Sequence, residues 1–258
     1  MVRLALAATP ALHVAAAPAS KWRLLSHRGV FTPSIAENSA AAIEEAIRRG
    51  YWMVEIDLRR SADGRIVIQH DANFERVFGV NRKVSELTWP EIRKLRSNPG
   101  NEPPLEFADV AKLAKGRIGL WLDIKEKAAD NAFLAQVEQT LRQNGLIGQT
   151  IVGINPKATP YFAGRIVTAE AIQKLYYEAA RPNLSRDWVM VEGLGFTLSD
   201  EAVQWGLQHH LTVIPFVGIS QYPGTDAIAP GTAVIKRLQA AGVTNFMIDS
   251  VFEPLFRK

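Results

Sequence analysis

From Lys21 onward, short apolar runs rich in strand-forming residues alternate with segments whose apolar positions recur every three or four residues. The strand-like runs are residues 22–26, 52–58, 66–69, 118–124, 150–154, 188–191, 211–217 and 245–248, with 164–168 as a candidate ninth. Helical patterns lie between them at 38–49, 132–142, 169–179, 200–209 and 232–241. Gly50, Gly145 and Gly242 sit just past three of these helices, where a left-handed cap is expected. The alternation predicts parallel strands joined by crossover helices. Eight strands predict a closed α/β barrel, (β/α)8, rather than an open doubly wound sheet, which would carry a glycine-rich turn after its first strand. Here the first strand runs into Ser26-His27-Arg28-Gly29, with a single glycine.

Composition is compatible with that fold. A chain of 258 residues matches one barrel, and no repeat or Gly/Ser-rich linker divides residues 21–258, which read as a single domain. The formal charge of +4 mildly favours anionic ligands. The basic pairs Arg48-Arg49, Arg59-Arg60 and Arg93-Lys94 are scattered rather than massed, so no nucleic-acid footprint is expected. The chain has no cysteine, which removes disulfides, thiolate metal sites and cysteine nucleophiles together but does not decide the compartment. Residues 1–20 carry Arg3, an apolar stretch over 4–19 and Ala17-Pro18-Ala19 before Ser20, like a secretory leader with a small-residue cleavage site. That pattern predicts a periplasmic or secreted protein. Pro10 and His13 interrupt the stretch and keep a disordered leader on a cytoplasmic protein as the alternative. No other stretch approaches the ~20 apolar residues of a membrane span.

Reacting groups in a barrel of this kind sit at the carboxyl ends of the strands. The first strand ends in His27-Arg28-Gly29, the second carries Glu55-Ile56-Asp57, the third ends in His70-Asp71, and the next carries Asp123-Ile124-Lys125. Four consecutive strands thus deliver ionisable residues in short apolar contexts, where an unpaired charge is costly. Glu55 and Asp57 are two positions apart and share one face of a strand. Both can ligate a single cation, as hard oxygen donors suited to Mg²⁺ or Ca²⁺. Asp123 and Lys125 share a face by the same rule. Between Asp57 and His70, Asp63-Gly64 is a hairpin signal, and a turn there pairs residues whose numbers sum to 127, placing His70 opposite Asp57; a turn one residue earlier or later still leaves His70 within a pair of the carboxylates. Each residue also has a plainer role: a lone His27 or His70 as a structural hydrogen-bonder, Glu55 and Asp57 as partners of Arg59 and Arg60, Asp123 as the partner of Lys125. His209-His210 reads as a helix end. The set, aligned on barrel-top positions, favours a site.

The run His27-Arg28-Gly29, Glu37-Asn38, Glu55-x-Asp57, His70-Asp71 resembles the glycerophosphodiester phosphodiesterase signature in order and spacing. The resemblance continues through Phe74, Arg76, Gly79, Val84-x-Glu86-Leu87-Thr88, Glu91-Ile92-x-x-Leu95, Pro104-Leu105-Glu106 and Asp123-x-Lys125, with Gly242-Val243 and Ile248-Asp249 like the family's last strand. It is strong over residues 22–126 and weak beyond. It implies a TIM barrel with a small insertion after the second or third strand, around residues 72–104. It also implies one divalent cation on Glu55, Asp57 and Asp123, with His27 and His70 as general acid and base. Arg28 and Lys125 would bind and neutralise the phosphate. Glu37 would orient a histidine or lie near the metal, and Asn38 would either join that site or cap the following helix. The implied reaction is hydrolysis of a small-molecule glycerophosphodiester to glycerol 3-phosphate and an alcohol. The alternatives are a phospholipase D-like activity on lysophospholipids that ends in a cyclic phosphate, and a non-catalytic barrel that binds a phosphorylated ligand. Two intact histidines argue against the last, and the lack of an apolar surface segment favours water-soluble substrates. Two departures stand out. Asp123 replaces the family's usual glutamate, as in sphingomyelinase D-like phospholipases of the same fold. Pro215-Phe216-Val217-Gly218 replaces a Trp-Thr-Val-Asn run, which leaves the accepted alcohol open.

Overall fold

The computed structural model describes residues 21–126, 129–191, 198–224 and 226–257; the expected leader lies outside them. The first half contains β1 (Arg23–Ser26), α1 (Ala40–Arg48), β2 (Met53–Arg60), β3 (Ile66–Ile68), β4 (Asn73–Phe74), α2 (Glu75–Phe78), β5 (Val80–Lys83), α3 (Trp89–Ile92), α4 (Phe107–Ala114) and β6 (Gly119–Ile124). The second half contains α5 (Asn131–Gln143), β7 (Thr150–Val152), α6 (Ala158–Phe162), β8 (Val167–Ala171), α7 (Ile172–Tyr177), α8 (Leu184–Asp187), β9 (Trp188–Val191), α9 (Asp200–Gln208), β10 (Thr212–Val213), β11 (Phe216–Val217), α10 (Ile228–Ala240) and β12 (Asn245–Ile248).

The main sheet runs β10-β9-β8-β7-β6-β2-β1-β12-β11, every neighbouring pair parallel. β10 and β11 are two halves of one strand interrupted at Ile214-Pro215. β10 pairs with β9, and β11 pairs with β12. Pro215 has no N–H to give the ladder. The chain switches partners there: Ile214 N–H donates to the Met190 carbonyl at 2.9 Å, and Met247 N–H donates to the Pro215 carbonyl at 3.0 Å. That switch closes the sheet into the expected (β/α)8 barrel.

Side-chain alternation along the strands places two kinds of residue at different heights. On β2, Val54, Ile56 and Leu58 join the layer between strands and helices, while Met53 points into the barrel core with Leu25, Trp121, Ile151 and Met247. Glu55 and Asp57 continue the Met53 face, so the barrel interior changes from an apolar plug to carboxylates as the strand climbs. β6 repeats the pattern, with Trp121 inward and Asp123 above it.

Three expectations need correction. The run at 66–69 is not a barrel strand: β3 folds back antiparallel on β2, and the candidate ninth run supplies the missing barrel strand as β8. The helix expected over 169–179 begins only at Ile172, because residues 167–171 are taken by that strand. The hairpin register is one residue off, with Leu58 opposite Ile68 and Arg60 opposite Ile66. Its loop has three residues rather than two, closed by Ser61 N–H on the Arg65 carbonyl at 3.0 Å, with Gly64 at φ +80°. Gln69, not His70, therefore lies across from Asp57, donating its N–H to the Asp57 carbonyl at 3.0 Å.

The caps at Gly50, Gly145 and Gly242 are as expected, all with positive φ. The insertion after the second barrel strand holds the β4–β5 hairpin, α2 and α3 around a small core of its own, Phe74, Val84, Leu87 and Ile92 packed with Val67. No helix among the described residues is long and apolar enough to cross a membrane.

Candidate active site

The parallel register of β2 with β6 sets Asp57 beside Asp123 and Glu55 beside Trp121. One carboxylate oxygen from each of Glu55, Asp57 and Asp123 lies within 4.8 Å of the others. Oxygens coordinated to one Mg²⁺ or Ca²⁺ at ~2.0–2.6 Å are separated by at most about 4–5 Å, so the cluster is of the right size for such an ion. The electrostatics point the same way. Burial, then the Asp57 and Asp123 charges, push the Glu55 carboxyl well above the usual carboxylate range. Burial also opposes ionisation of Asp57, but Lys125, His70 and Arg28 outweigh it and hold that carboxyl below its ordinary value. Buried Asp57 Oδ1 has no hydrogen-bond donor in good geometry, although the Lys125 ammonium lies 3.0 Å away. A small divalent cation fits this donor set.

Both histidines are held at Nδ1 by a carboxylate. His27 Nδ1 donates to Asp249 Oδ1 at 2.7 Å, and Asp249 Oδ2 accepts the Ile219 N–H at 2.7 Å. His70 Nδ1 donates to Asp71 Oδ1 at 2.7 Å. A carboxylate can only accept, so in each ring the neutral form carries its proton on Nδ1 and leaves Nε2 free for proton transfer. Burial lowers the His70 pKa and outweighs the pull of Asp57 and Asp71. The Phe216 ring packs on His27 with centroids 4.5 Å apart. His209 is the helix-end residue anticipated, with Nδ1 on the Trp205 carbonyl at 2.8 Å.

Arg28 and Lys125 complete the centre. The turn after β1 places Arg28 at φ 56° and Gly29 at φ 78°. A Cβ on Gly29 would lie 2.8 Å from the Ala42 Cβ, so only glycine lets the loop lie against α1. Arg28 N–H donates to Glu55 Oε2 at 2.8 Å, and its guanidinium reaches Glu37 Oε1 at 3.1 Å. The Lys125 ammonium lies 2.6 Å from Asp123 Oδ2 as well as near Asp57, so the pairing of Asp123 with Lys125 exists within the site rather than instead of it. Burial disfavours the ammonium, but Asp57 and Asp123 outweigh it and raise the Lys125 pKa. Arg59 and Arg60 do not pair with Glu55 or Asp57: Arg59 donates to the His70 carbonyl at 2.6 and 3.0 Å, and Arg60 pairs with Asp130.

Asn38 is not the helix cap. Ser39 caps α1 by accepting the Ala42 N–H, and Asn38, at φ 56°, donates to Asp57 Oδ2 at 2.7 Å. Glu37 touches neither histidine. It pairs with Arg28 and Arg76, and Arg76 in turn bonds Asp71. Sequence reasoning did not assign Asp249 or Arg76 to the site, and named Phe216 only within the run that leaves the accepted alcohol open. Asp249 ends the last apolar run, a barrel-top position like the others, and that signal could have found it. Arg76, in the insertion, is not marked by strand-end spacing, whereas Phe216 lies at the end of the 211–217 run.

A cavity of about 330 Å³ is lined by His27, Glu55, Asp123 and Lys125 with Trp121, Ile154, Ile214 and Phe216. A second, of about 680 Å³, meets it at His27 and includes Arg28, Phe31, Arg76, Ile219 and Ile228.

Comparison with known proteins finds similarity to phosphodiesterases. Residues 27–147 match the model of the glycerophosphoryl diester phosphodiesterase family. The probable glycerophosphodiester phosphodiesterase 2 of Mycobacterium tuberculosis is 28% identical over 218 residues, covering 84% of this chain and 75% of that protein. Over residues 27–147 the chain is similar to this family. Rat lysophospholipase D GDPD1 (Rattus norvegicus) is 40% identical over 70 residues, 27% of this chain and 22% of that protein. A glycerophosphoryl diester phosphodiesterase structure from Parabacteroides distasonis superposes with a TM-score of 0.74 at 16% identity, covering 93% of this chain and 89% of that one. The family match ends at residue 147 and so takes in every site residue of the first half but not Asp249 or Phe216.

Proposed function

We propose that this protein is a phosphodiesterase that hydrolyses small glycerophosphodiesters to glycerol 3-phosphate and an alcohol. The observation that carries the reading is the pair of histidines, each fixed at Nδ1 by its own carboxylate, beside a three-carboxylate cluster flanked by Arg28 and Lys125. A binding module needs the charges but not two oriented proton-transfer groups.

In this reading Glu55, Asp57 and Asp123 would hold one divalent cation, which would supply positive charge to the site when bound. Arg28 and Lys125 add further positive charge where negative charge builds during attack. One histidine accepts at Nε2 the proton of the attacking hydroxyl as its oxygen bonds to phosphorus. The hydroxyl is that of water, or the neighbouring glycerol hydroxyl, and in the latter case water then opens the cyclic phosphate to glycerol 3-phosphate. The bond from phosphorus to the leaving oxygen breaks, and the other histidine donates its Nε2 proton to the departing alkoxide. Burial lowers the His70 pKa, which favours its neutral ring and suits it to the base role. Asp249 and Asp71 stabilise the imidazolium that each ring passes through.

A second reading, action on lysophospholipids, is favoured by one feature. Although no contiguous apolar segment was expected, Ile219 and Ile228, 45% and 43% exposed, come together in the wall of the larger cavity beside His27. An acyl chain would cover them. The test is product analysis with glycerophosphocholine and lysophosphatidylcholine, each with Mg²⁺, Ca²⁺ or chelator. Cation-dependent release of glycerol 3-phosphate and choline from the first supports the leading reading. Preference for the second with a cyclic phosphate product favours the alternative, and turnover of neither refutes both.

A further inference from the structure

The insertion contributes one residue to the centre, Arg76 on the short helix α2. Its guanidinium engages two carboxylates from different parts of the chain. Nε donates to Asp71 Oδ2 at 2.7 Å, while NH1 and NH2 donate to Glu37 Oε2 and Oε1 at 2.9 and 2.7 Å. Asp71 uses its other oxygen on His70 Nδ1, and Glu37 also accepts from Arg28. A continuous chain of charged hydrogen bonds therefore runs His70–Asp71–Arg76–Glu37–Arg28. We propose that Arg76 is a positioning residue, acting from the insertion through Asp71 to fix the ring of His70 and through Glu37 to fix Arg28. This rests on the reading of His70 as a proton-transfer group.

Geometry separates this role from simple attachment of the insertion. The insertion is already held by its own core, with Phe74 fully buried, and the His70 backbone is held independently by two Arg59 bonds to its carbonyl. Without Arg76 the loop therefore stays in place, and the partly exposed Asp71 carboxylate loses the partner that sets its rotamer. A planar guanidinium grips one carboxylate in a fork while reaching a second; an ammonium at the same place keeps the charge and loses the fork. Misplacing a reacting group by about 1 Å can cost ~10²-fold in rate.

The test compares kcat and KM on glycerophosphocholine for Arg76→Met, Arg76→Lys, Asp71→Asn, the double variant Arg76→Met/Asp71→Asn, and His70→Ala, with ring-¹⁵N NMR of His70. Arg76→Met is expected to lower kcat ~10–100-fold with KM changed less than about threefold, and to disturb the Nδ1–H signal of His70. Arg76→Lys recovers part of the rate. In the Asp71→Asn background, Arg76→Met costs only a few-fold more, because both act on one ring. The proposal is overturned if Arg76→Met, or Arg76→Lys should the former not fold, keeps normal kcat and an unchanged His70 signal. Full additivity of the two losses also overturns it. Near-normal turnover in His70→Ala instead refutes the two-histidine reading, whereas a dead His70→Ala with a normal Arg76→Met refutes only the positioning role.

Discussion

Replacing Glu55 by Gln should stabilise the cation-free protein and abolish its stabilisation by cation. Glu55 is 2% exposed and lies no more than 4.8 Å from the ligand oxygens of Asp57 and Asp123. At that separation two unit charges repel by about 3–4 kcal/mol at an effective dielectric constant near 20. Glu55 faces two such neighbours, while Lys125 and Arg28 offset part of the repulsion. The Arg28 N–H donates to Glu55 Oε2 at 2.8 Å; a glutamine side chain keeps an oxygen for that bond and removes the charge. A net gain of about 2 kcal/mol corresponds to a rise in Tm of roughly 4–8 °C in chelator at pH 8 for a chain of this size.

The pH dependence follows from the direction of the Glu55 shift. The folded-state pKa lies above the unfolded value of 4.5, so the folded form holds its proton more tightly. Stability from this group is therefore present at low pH and is lost as pH rises from the unfolded value through the raised folded one. In chelator, the advantage of Glu55→Gln over the parent should widen across that interval. Saturating cation should reverse the order, because binding at about 100 times Kd adds ~2.7 kcal/mol to the parent. The assay is a set of thermal melts at pH 5 and pH 8 with chelator, Mg²⁺ and Ca²⁺. A Glu55→Gln variant less stable than the parent in chelator at pH 8, or equally stabilised by cation, would refute the reasoning.

Three further outcomes are expected. Asp249→Asn leaves one oxygen where His27 Nδ1 and the Ile219 N–H need two; kcat should fall ~10²–10⁴-fold with little change in KM, and an unchanged kcat would remove His27 from proton transfer. Asp123→Glu should retain activity and shift the balance between Mg²⁺ and Ca²⁺, whereas Asp123→Asn should weaken cation binding in titration calorimetry; equal affinity in Asp123→Asn would leave Asp123 as merely the partner of Lys125. Gly231→Ala sets a Cβ 2.4 Å from the Phe252 ring, which is buried and unable to withdraw, so overpacking of ~1–3 kcal/mol should outweigh the ~1 kcal/mol gain in helix propensity and lower Tm; a higher Tm would show that the α10 contact yields.

The sequence by itself determined most of the elements and which titratable side chains share a strand face. Period two along a strand was enough to place Glu55 and Asp57 on one face and Asp123 with Lys125 on another, because side-chain alternation is a local property; that these faces point inward is decided by the sheet. Strand-end positions marked His27 and His70 for the same reason. What depended on non-local pairing was not legible. The run at 66–68 looks like any barrel strand, and only its antiparallel pairing with β2 shows that it belongs to a hairpin whose three-residue loop moves Gln69 opposite Asp57. The sequence left Asn38 open between the site and a helix cap; Ser39 took the cap and the buried Asp57 carboxylate took the Asn38 amide. Asp249 lies 222 residues from His27, and Arg76 lies 39 from Glu37. Which charges meet across such distances is decided by barrel closure and by the seating of the insertion. Both are tertiary events, in which each buried charge must find a partner from whatever segment the packing brings within reach.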